Sequence, residues 1–402
     1  MPASKPRLAF AGLGAMGFGM ASHLIKSGFS VTGYDIYQPL IEKLVAVGGS
    51  AAGTPREAVK DVEVLVVMVA IIDHALSLLF DTTDGVISSL PQNSTVLMCS
   101  TVAPTDIVNL AQRLKDAGRG DLHLIDCPVS GGAGRAANGT LSIFASGAKP
   151  DLDSASSILE CMSGKLYRVG DLGSGSKAKL IHQIFAGVQI AMASEAMGLA
   201  AAAGSNTQKA FEKLKIGKGT SWMFENRAPM MMDRDHKPYS AVAIIRKDVK
   251  IITKTAREEQ FPLPLLEKAE QLYDECVEQG WEREDDCVLV RLYLPNKPNL
   301  VEEQAGSFVP SEAPKIELGD IESLMIGVHL GAMSEAMRFC EHLGIDTDLM
   351  FDIVSNAAGA SAVFVKYFEE MKRNNWAIEK IAEASDIKQR VVSLLCTRSL
   401  HC

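Results

Sequence analysis

The chain lacks several features that would fix its class at once. No continuous apolar run reaches the roughly 18 residues that span a bilayer. The richest run, Val62 to Ile72, is about half that length and contains Glu63. Positive charge is not in excess: 40 Lys and Arg stand against 49 Asp and Glu, a net −9. That balance excludes a nucleic-acid binder working by bulk charge, yet leaves room for an anionic substrate held by local cations. The eight cysteines (Cys99, Cys127, Cys161, Cys276, Cys287, Cys340, Cys396 and Cys402) include no C-x-x-C pair. None has metal-ligand spacing with a nearby histidine, so they read as reduced, mostly buried thiols and no metal is expected. His23, His74, His123, His236, His329, His342 and His401 form no sequence cluster. The start, MPASKPRLAFAGLG, has no apolar signal core and no small-residue cleavage site. It points to the cytoplasm, with little room for a mitochondrial presequence, which is left open.

What is present suits a large folded chain. Over 402 residues, 47% are hydrophobic and 22% charged, enough for two or three domains with substantial cores. Apolar runs at 7–11, 29–34, 63–69, 94–99 and ending near Asp126 alternate with helical patterns at 38–47, 74–80 and 105–117. Strands alternating with helices predict a parallel sheet covered on both faces. After about residue 175 the pattern becomes helical. Lys177 to Ala203 forms an Ala- and Met-rich stretch interrupted only by Gly187 and Gly198. A Pro-, Glu-, Gly- and Ser-rich stretch at 295–319 reads as a linker.

The first apolar run ends in Gly12-Leu13-Gly14-Ala15-Met16-Gly17, followed by a helical pattern. Glycines at these three places serve a tight turn, a close backbone approach to a pyrophosphate, and close helix–strand packing. The pyrophosphate then rests on the free N–H groups of the helix start. Asp35 closes the second strand, 23 residues after Gly12, where a carboxylate accepts from a ribose hydroxyl and repels a 2′-phosphate. Ile36 and Tyr37 follow, with no arginine to welcome that phosphate, so NAD is favoured over NADP.

Residues 187–224 repeat at 327–364 with a gapless offset of 140 and 12 identities in 38 positions. Among these are Ser194/Ser334, Glu195/Glu335, Gly219/Gly359, Ser221/Ser361 and Phe224/Phe364. A repeat of this length implies a duplicated domain and not a solenoid. The last segment, Val391 to Cys402, has no counterpart in the first copy and reads as an altered or truncated end.

Four motifs carry a family resemblance: GLGAMGFGMASHL (12–24), DCPVSGGAGRAANGTL (126–141), GSGSKAKLIHQ (173–183) and IRKDVKI (245–251). Together and in order they resemble the β-hydroxyacid dehydrogenases, over about residues 7–295, and within them most closely the L-threonate dehydrogenase branch. The resemblance implies an α/β Rossmann-type N-terminal domain (1–175) and an all-α helical catalytic domain (176–295). A linker (296–319) and a second, partial all-α copy (320–402) would follow. It implies NAD-dependent oxidation of a small anionic hydroxy acid, L-threonate-like or 3-hydroxyisobutyrate-like. Reduction of a semialdehyde or glyoxylate, and a non-catalytic dinucleotide-binding role, are the alternatives.

By the same resemblance, Lys179 is the general acid/base, a role favoured by a lysine pKa drawn towards neutrality. Ser130, Gly131 and Gly132 bind the substrate carboxylate. Thr101, Val69, Ala70 and Lys247 join the glycine loop and Asp35 as cofactor contacts, and Asp248 helps fix the site. Many relatives carry two asparagines where this chain has His182 and Gln183. Gln183 keeps the amide on a longer arm to hold substrate and lysine. His182 is either a substrate ligand or a satisfied core histidine. Lys179, His182, Gln183 and Ala186 are spaced to share one helix face. Arg227 is not placed by the sequence. The second copy has Gly319, Glu322 and Ser323 at the positions of Lys179, His182 and Gln183, so it is read as non-catalytic. It would supply a packing surface in cis, making the protein a pseudo-dimeric monomer, unless two chains pair as a homodimer. Neither nucleic acid nor membrane is an expected partner.

Overall fold

The computed structural model describes residues 5–233, 235–236 and 238–381. The expectations for Val391–Cys402 and for Cys396, His401 and Cys402 lie outside them. Two compact units divide within one helix, Met1–Lys179 and Leu180–Cys402.

The first unit is built on nine strands, β1 (Arg7–Ala11), β2 (Ser30–Tyr34), β3 (Ser50–Ala51), β4 (Val64–Val67), β5 (Thr95–Met98), β6 (His123–Asp126), β7 (Val129–Ser130), β8 (Leu141–Ser146) and β9 (Ser163–Gly170). Between them run helices α1 (Ala15–Lys26), α2 (Gln38–Ala46), α3 (Pro55–Ala58), α4 (Ile72–Phe80), α5 (Pro104–Asp116), α6 (Gly132–Asn138), α7 (Lys149–Ser154) and α8 (Ser156–Met162). The strand order is β3-β2-β1-β4-β5-β6-β8-β7, with β9 on β8. Strands β1 to β6 pair in parallel, whereas β8 runs antiparallel to β6 and β7. The antiparallel end and the eight-residue β9 lie beyond the strand pattern read from the sequence, which ends near Asp126.

The central strands are apolar throughout because each faces two cores. Leu8, Phe10, Val64, Val66 and Leu97 enter one apolar cluster, while Ala9, Ala11, Leu65, Val67, Val96 and Met98 enter the other. This is the period-two alternation of a sheet buried on both sides. The chain winds outward through β2 and β3 and then returns beside β1 as β4. The strand order reverses there, and in open sheets the crevice at the carboxyl ends of such a pair is where ligands bind.

Helix α9 (Ser174–Ala202) is the longest element. By length and composition it could cross a membrane, with an 18-residue window of mean hydropathy 1.4, but 94% of that window is buried inside the protein. Its interspersed lysine, histidine and glutamines keep it from reading as a continuous apolar run. The second unit continues with α10 (Thr207–Leu214), α11 (Trp222–Met231), α12 (Val242–Glu258), α13 (Pro264–Glu278), a 3₁₀ turn (Asp286–Tyr293), α14 (Leu300–Glu303), α15 (Leu318–His342), α16 (Thr347–Ser355) and α17 (Ala362–Arg373). Small residues let neighbours close on α9: a Cβ at Gly187 would sit 2.7 Å from Val249 Cγ2, and one at Gly198 2.8 Å from Tyr293 Cβ. Within 296–319, Val301 of α14 is buried beside α9 residues, and Thr207 Oγ1 donates to its carbonyl at 2.6 Å.

Residues 140 apart meet reciprocally. Ser221 and Ser361 form an antiparallel bridge. Gly219 abuts Glu322 and Met325, and Gly359 abuts His182 and Phe185, their counterparts. Ser221 and Ser361 also cap α11 and α17, accepting from Phe224 N and Phe364 N.

In the first unit, Gly175 leaves no room for a side chain, since a Cβ would lie 2.2 Å from the Phe144 carbonyl oxygen. Gly175→Ala should therefore lower stability by about 1–3 kcal/mol through overpacking against backbone. Urea denaturation followed by circular dichroism measures it, and an unchanged midpoint contradicts the packing.

Candidate active site

In the first unit, the residues expected at a dinucleotide gather at the carboxyl ends of β1, β2 and β4. Gly12 has φ +91°, and a Cβ there would strike the Met68 carbonyl at 2.2 Å. Gly14 faces open space, and Gly17 packs on the Gly12 carbonyl so closely that a Cβ would be 1.9 Å away. The three roles of turn, open approach and packing are thus each filled. Helix α1 begins at Ala15, exposed like Gly14, with no side-chain cap and no acid in its first turn. Its free N–H groups suit an anion. Asp35 accepts from Leu13 N at 2.6 Å and from Tyr37 N at 2.9 Å, so the carboxylate braces the glycine loop. The side chains beyond it, Ile36 and Tyr37, are exposed and carry no charge.

Val69 and Ala70 follow β4, and Val69 N donates to the buried Ser100 hydroxyl at 2.9 Å. Thr101, next in sequence, is half-buried. Ser130 ends β7 and is buried; Gly131 (φ +139°) and Gly132 (φ +74°) take backbone forms that a side chain would strain.

Lys179, in the second turn of α9, is 5% exposed, whereas Lys177 is half-buried. What fixes this end of α9 is Asp126, wholly buried at the end of β6. Its carboxylate accepts from Ser176 N at 2.7 Å, from Ser176 Oγ at 2.7 Å and from Ser146 Oγ at 3.1 Å. Gly175 N in turn donates to Ser146 Oγ at 2.8 Å.

In the second unit, His182 Nδ1 lies 3.0 Å from Gln183 Oε1, and Gln183 Nε2 donates to Asp248 Oδ2 at 2.6 Å. Lys247 Nζ is 3.0 Å from Asp248 Oδ1. The structure brings these four residues into one polar chain in which His182 is wholly buried and hydrogen-bonded, as a satisfied core histidine would be.

The chain resembles known proteins in both its units. Residues 7–170 match the family model described as the NAD binding domain of 6-phosphogluconate dehydrogenase. Residues 173–293 and 321–382 match the one described as NAD-binding of NADP-dependent 3-hydroxyisobutyrate dehydrogenase. L-threonate dehydrogenases of Pectobacterium atrosepticum and Escherichia coli are each 36% identical to this chain, over 72% of it and 96% and 95% of their own lengths. The solved 3-hydroxyisobutyrate dehydrogenase of Salmonella typhimurium is 35% identical, with a TM-score of 0.66, covering 72% of this chain and all of that one. The chain belongs to the β-hydroxyacid dehydrogenase family.

This β-hydroxyacid dehydrogenase is accordingly an NAD-dependent oxidoreductase acting on CH–OH groups. Sequence reasoning passed over three of its polar anchors, Asp126, Ser146 and Ser176. Asp126 and Ser176 lay inside quoted motifs, but their meeting across 50 residues has no local signature. Arg227 proves structural: it is 2% exposed, and its guanidinium grips Asp286, with Nη2 2.9 Å from Oδ2.

His236, Asp285 and Cys287, which show no ligand spacing in the sequence, come together in the fold with one ligand atom of each within 4.8 Å of the others. Spacing could not find a group split between positions 236 and 285. Asp285 already accepts from Ser240 N at 3.0 Å and Cys287 N at 3.1 Å, capping the 3₁₀ turn. Burial, aided by Asp285, raises the Cys287 thiol far above its usual range and keeps it neutral. His236 Nε2, 3.4 Å from Cys287 Sγ, then acts as that thiol's acceptor.

Burial outweighs the hydrogen bonds to Asp126 and pushes its pKa up to about 6 from the ordinary 3.8. A carboxyl raised on folding stabilises most when protonated. Its contribution is therefore complete below the unfolded value and is lost as pH climbs through about 6. Asp126→Asn should gain stability relative to the parent between pH 4 and pH 7, by an amount on the order of 3 kcal/mol. Urea midpoints across that range measure it; a constant difference refutes the raised carboxyl.

Proposed function

We propose that the protein oxidises a small anionic hydroxy acid, of L-threonate-like or 3-hydroxyisobutyrate-like structure, with Lys179 as general acid/base. The burial of Lys179 carries the reading. An ammonium is seldom removed from water without a task, and this one stands one turn beyond the anchored Ser176. Relatives named L-threonate dehydrogenase and NAD-dependent L-serine dehydrogenase, the latter from Pseudomonas aeruginosa at 30% identity, support a hydroxy-acid substrate.

NAD, when bound, supplies the hydride acceptor. The chain does the rest. The Gly12–Gly17 turn and the start of α1 receive the pyrophosphate, and Asp35 accepts from the ribose hydroxyls. Val69, Ala70, Thr101 and Lys247 flank the cofactor. Ser130 with the Gly131 and Gly132 backbone holds the substrate carboxylate, and Gln183 its polar chain. Lys179 takes the hydroxyl proton as the hydride departs, and returns it in the reverse direction.

Lys179→Ala should lower kcat by about 10²–10⁴-fold and leave NADH affinity within a few-fold. Stopped-flow absorbance and NADH fluorescence titration measure the two, with a panel of C3–C6 hydroxy acids. Loss of NADH binding with the lysine would mean that it serves the cofactor instead.

We also propose that the second helical copy is structural and replaces a partner subunit, so that the chain works as a pseudo-dimeric monomer in the cytoplasm. The reciprocal contacts 140 residues apart support this, since exchange of equivalent residues is the mark of a two-fold interface. In sedimentation the full chain should run as a single chain, and one ending near residue 300 should associate or precipitate. Equal mass per particle and equal solubility for both would dismiss the idea.

A further inference from the structure

One peptide of the second helical copy speaks directly to the polar chain of the first. Gly359 N lies 3.2 Å from His182 Nε2. A backbone N–H can only donate, so Nε2 accepts and the proton of the neutral ring sits on Nδ1. Nδ1–H then donates to Gln183 Oε1 at 3.0 Å, which leaves the Gln183 NH₂ to donate to Asp248 Oδ2 at 2.6 Å. A flipped amide would set NH₂ against Nδ1–H and a carbonyl against a carboxylate. The donor at Gly359 and the acceptor at Asp248 thus fix the orientations between them from opposite ends of the chain.

That donor is held firmly. The carbonyl of Gly359 accepts from Gln189 Nε2 at 2.8 Å. Gln189 stands seven residues after His182, on the same face of α9. The next residues are clamped by backbone bonds, Trp222 N to the Ala360 carbonyl at 2.9 Å and Ala362 N to the Thr220 carbonyl at 3.0 Å. A Cβ on Gly359 would approach Phe185 Cβ to 3.1 Å and the His182 carbonyl oxygen to 3.4 Å, so a methyl would shift the peptide by tenths of an ångström. The reciprocal loop behaves differently. Glu322 replaces His182 there and accepts from Lys218 N.

We propose that Gly359 is a positioning residue for the active site: its N–H selects the His182 tautomer and thereby aims the Gln183 amide. Substrate affinity then depends on a segment beyond the part of the chain shared with the shorter relatives. This rests on the reading of Gln183 as a substrate-holding residue.

Two measurements on the full chain test it. Long-range ¹H–¹⁵N correlation of protein labelled with ¹⁵N-histidine, assigned with His182→Asn, should show His182 in the Nδ1–H form, the minor tautomer of free imidazole. An Nε2–H form or an imidazolium at neutral pH overturns the proposal. In kinetics, Gly359→Ala should raise KM for the hydroxy acid about five- to tenfold, the range set by one buried hydrogen bond, with KM for NAD unchanged. Gln189→Met, which releases the same peptide from its carbonyl side, should act in the same direction if the alanine variant folds poorly. In a His182→Asn background both effects should vanish, because neighbours acting through one group are not additive. Equal effects in both backgrounds overturn the proposal. The tautomer needs no substrate, so failure to oxidise any hydroxy acid, with the Nδ1–H form present, would remove the catalytic reading and leave the relay intact.

Discussion

A carboxylate sealed beneath the first turn of the longest helix is the constraint on which the placing of Lys179 in the first unit rests. Asp126 ends a central strand, and Ser176 binds it through both backbone and hydroxyl. The part of α9 within the first unit is tied there, and Lys179 follows Ser176 by less than one turn. Gly175 contributes by absence, since any side chain would meet the Phe144 carbonyl.

The dinucleotide end follows the same logic with different materials. Asp35 spends part of its capacity on Leu13 N and Tyr37 N, which stiffens the loop before any ligand arrives. A carboxylate has about four lone-pair directions, so ribose hydroxyls can still be accepted. The residue proposed to accept the ribose hydroxyls thus also braces the glycine turn. A phosphate on the ribose would meet its charge, with only the uncharged Ile36 and Tyr37 beside it.

Local rules made the first unit legible. The glycine loop, Asp35 and the buried strands each have a period or spacing that one stretch of sequence contains. β7 lay hidden because two residues are too few for alternation to register, and β8 because all six of its residues are buried and so do not alternate. Asp126 with Ser176, and Gly359 with His182, lay hidden for another reason: their partners are 50 and 177 residues away, and no local pattern encodes such meetings. The same kind of separation, 59 residues, left Arg227 unplaced by the sequence until its buried partner Asp286 was seen. Long-range polar pairs are a property of topology, and topology is what spacing alone leaves undetermined.

The two helical copies show which residues each task requires. Packing and capping residues agree between them: Gly219 and Gly359 at the close approach, Ser221 and Ser361 at the caps, Phe224 and Phe364 beneath. Polar residues of the catalytic face do not. Lys179, His182 and Gln183 stand opposite Gly319, Glu322 and Ser323. Gln189 is answered by His329, a buried imidazole with no hydrogen-bond partner among the described residues, whose pKa burial pulls down to about 3. A ring kept neutral and unsatisfied is tolerable where it only fills space. It would be ruinous at position 189, whose amide holds the Gly359 peptide in place. On the proposal that the second copy stands in for a partner subunit, this is the division expected: packing and capping residues kept, the Lys179 face replaced.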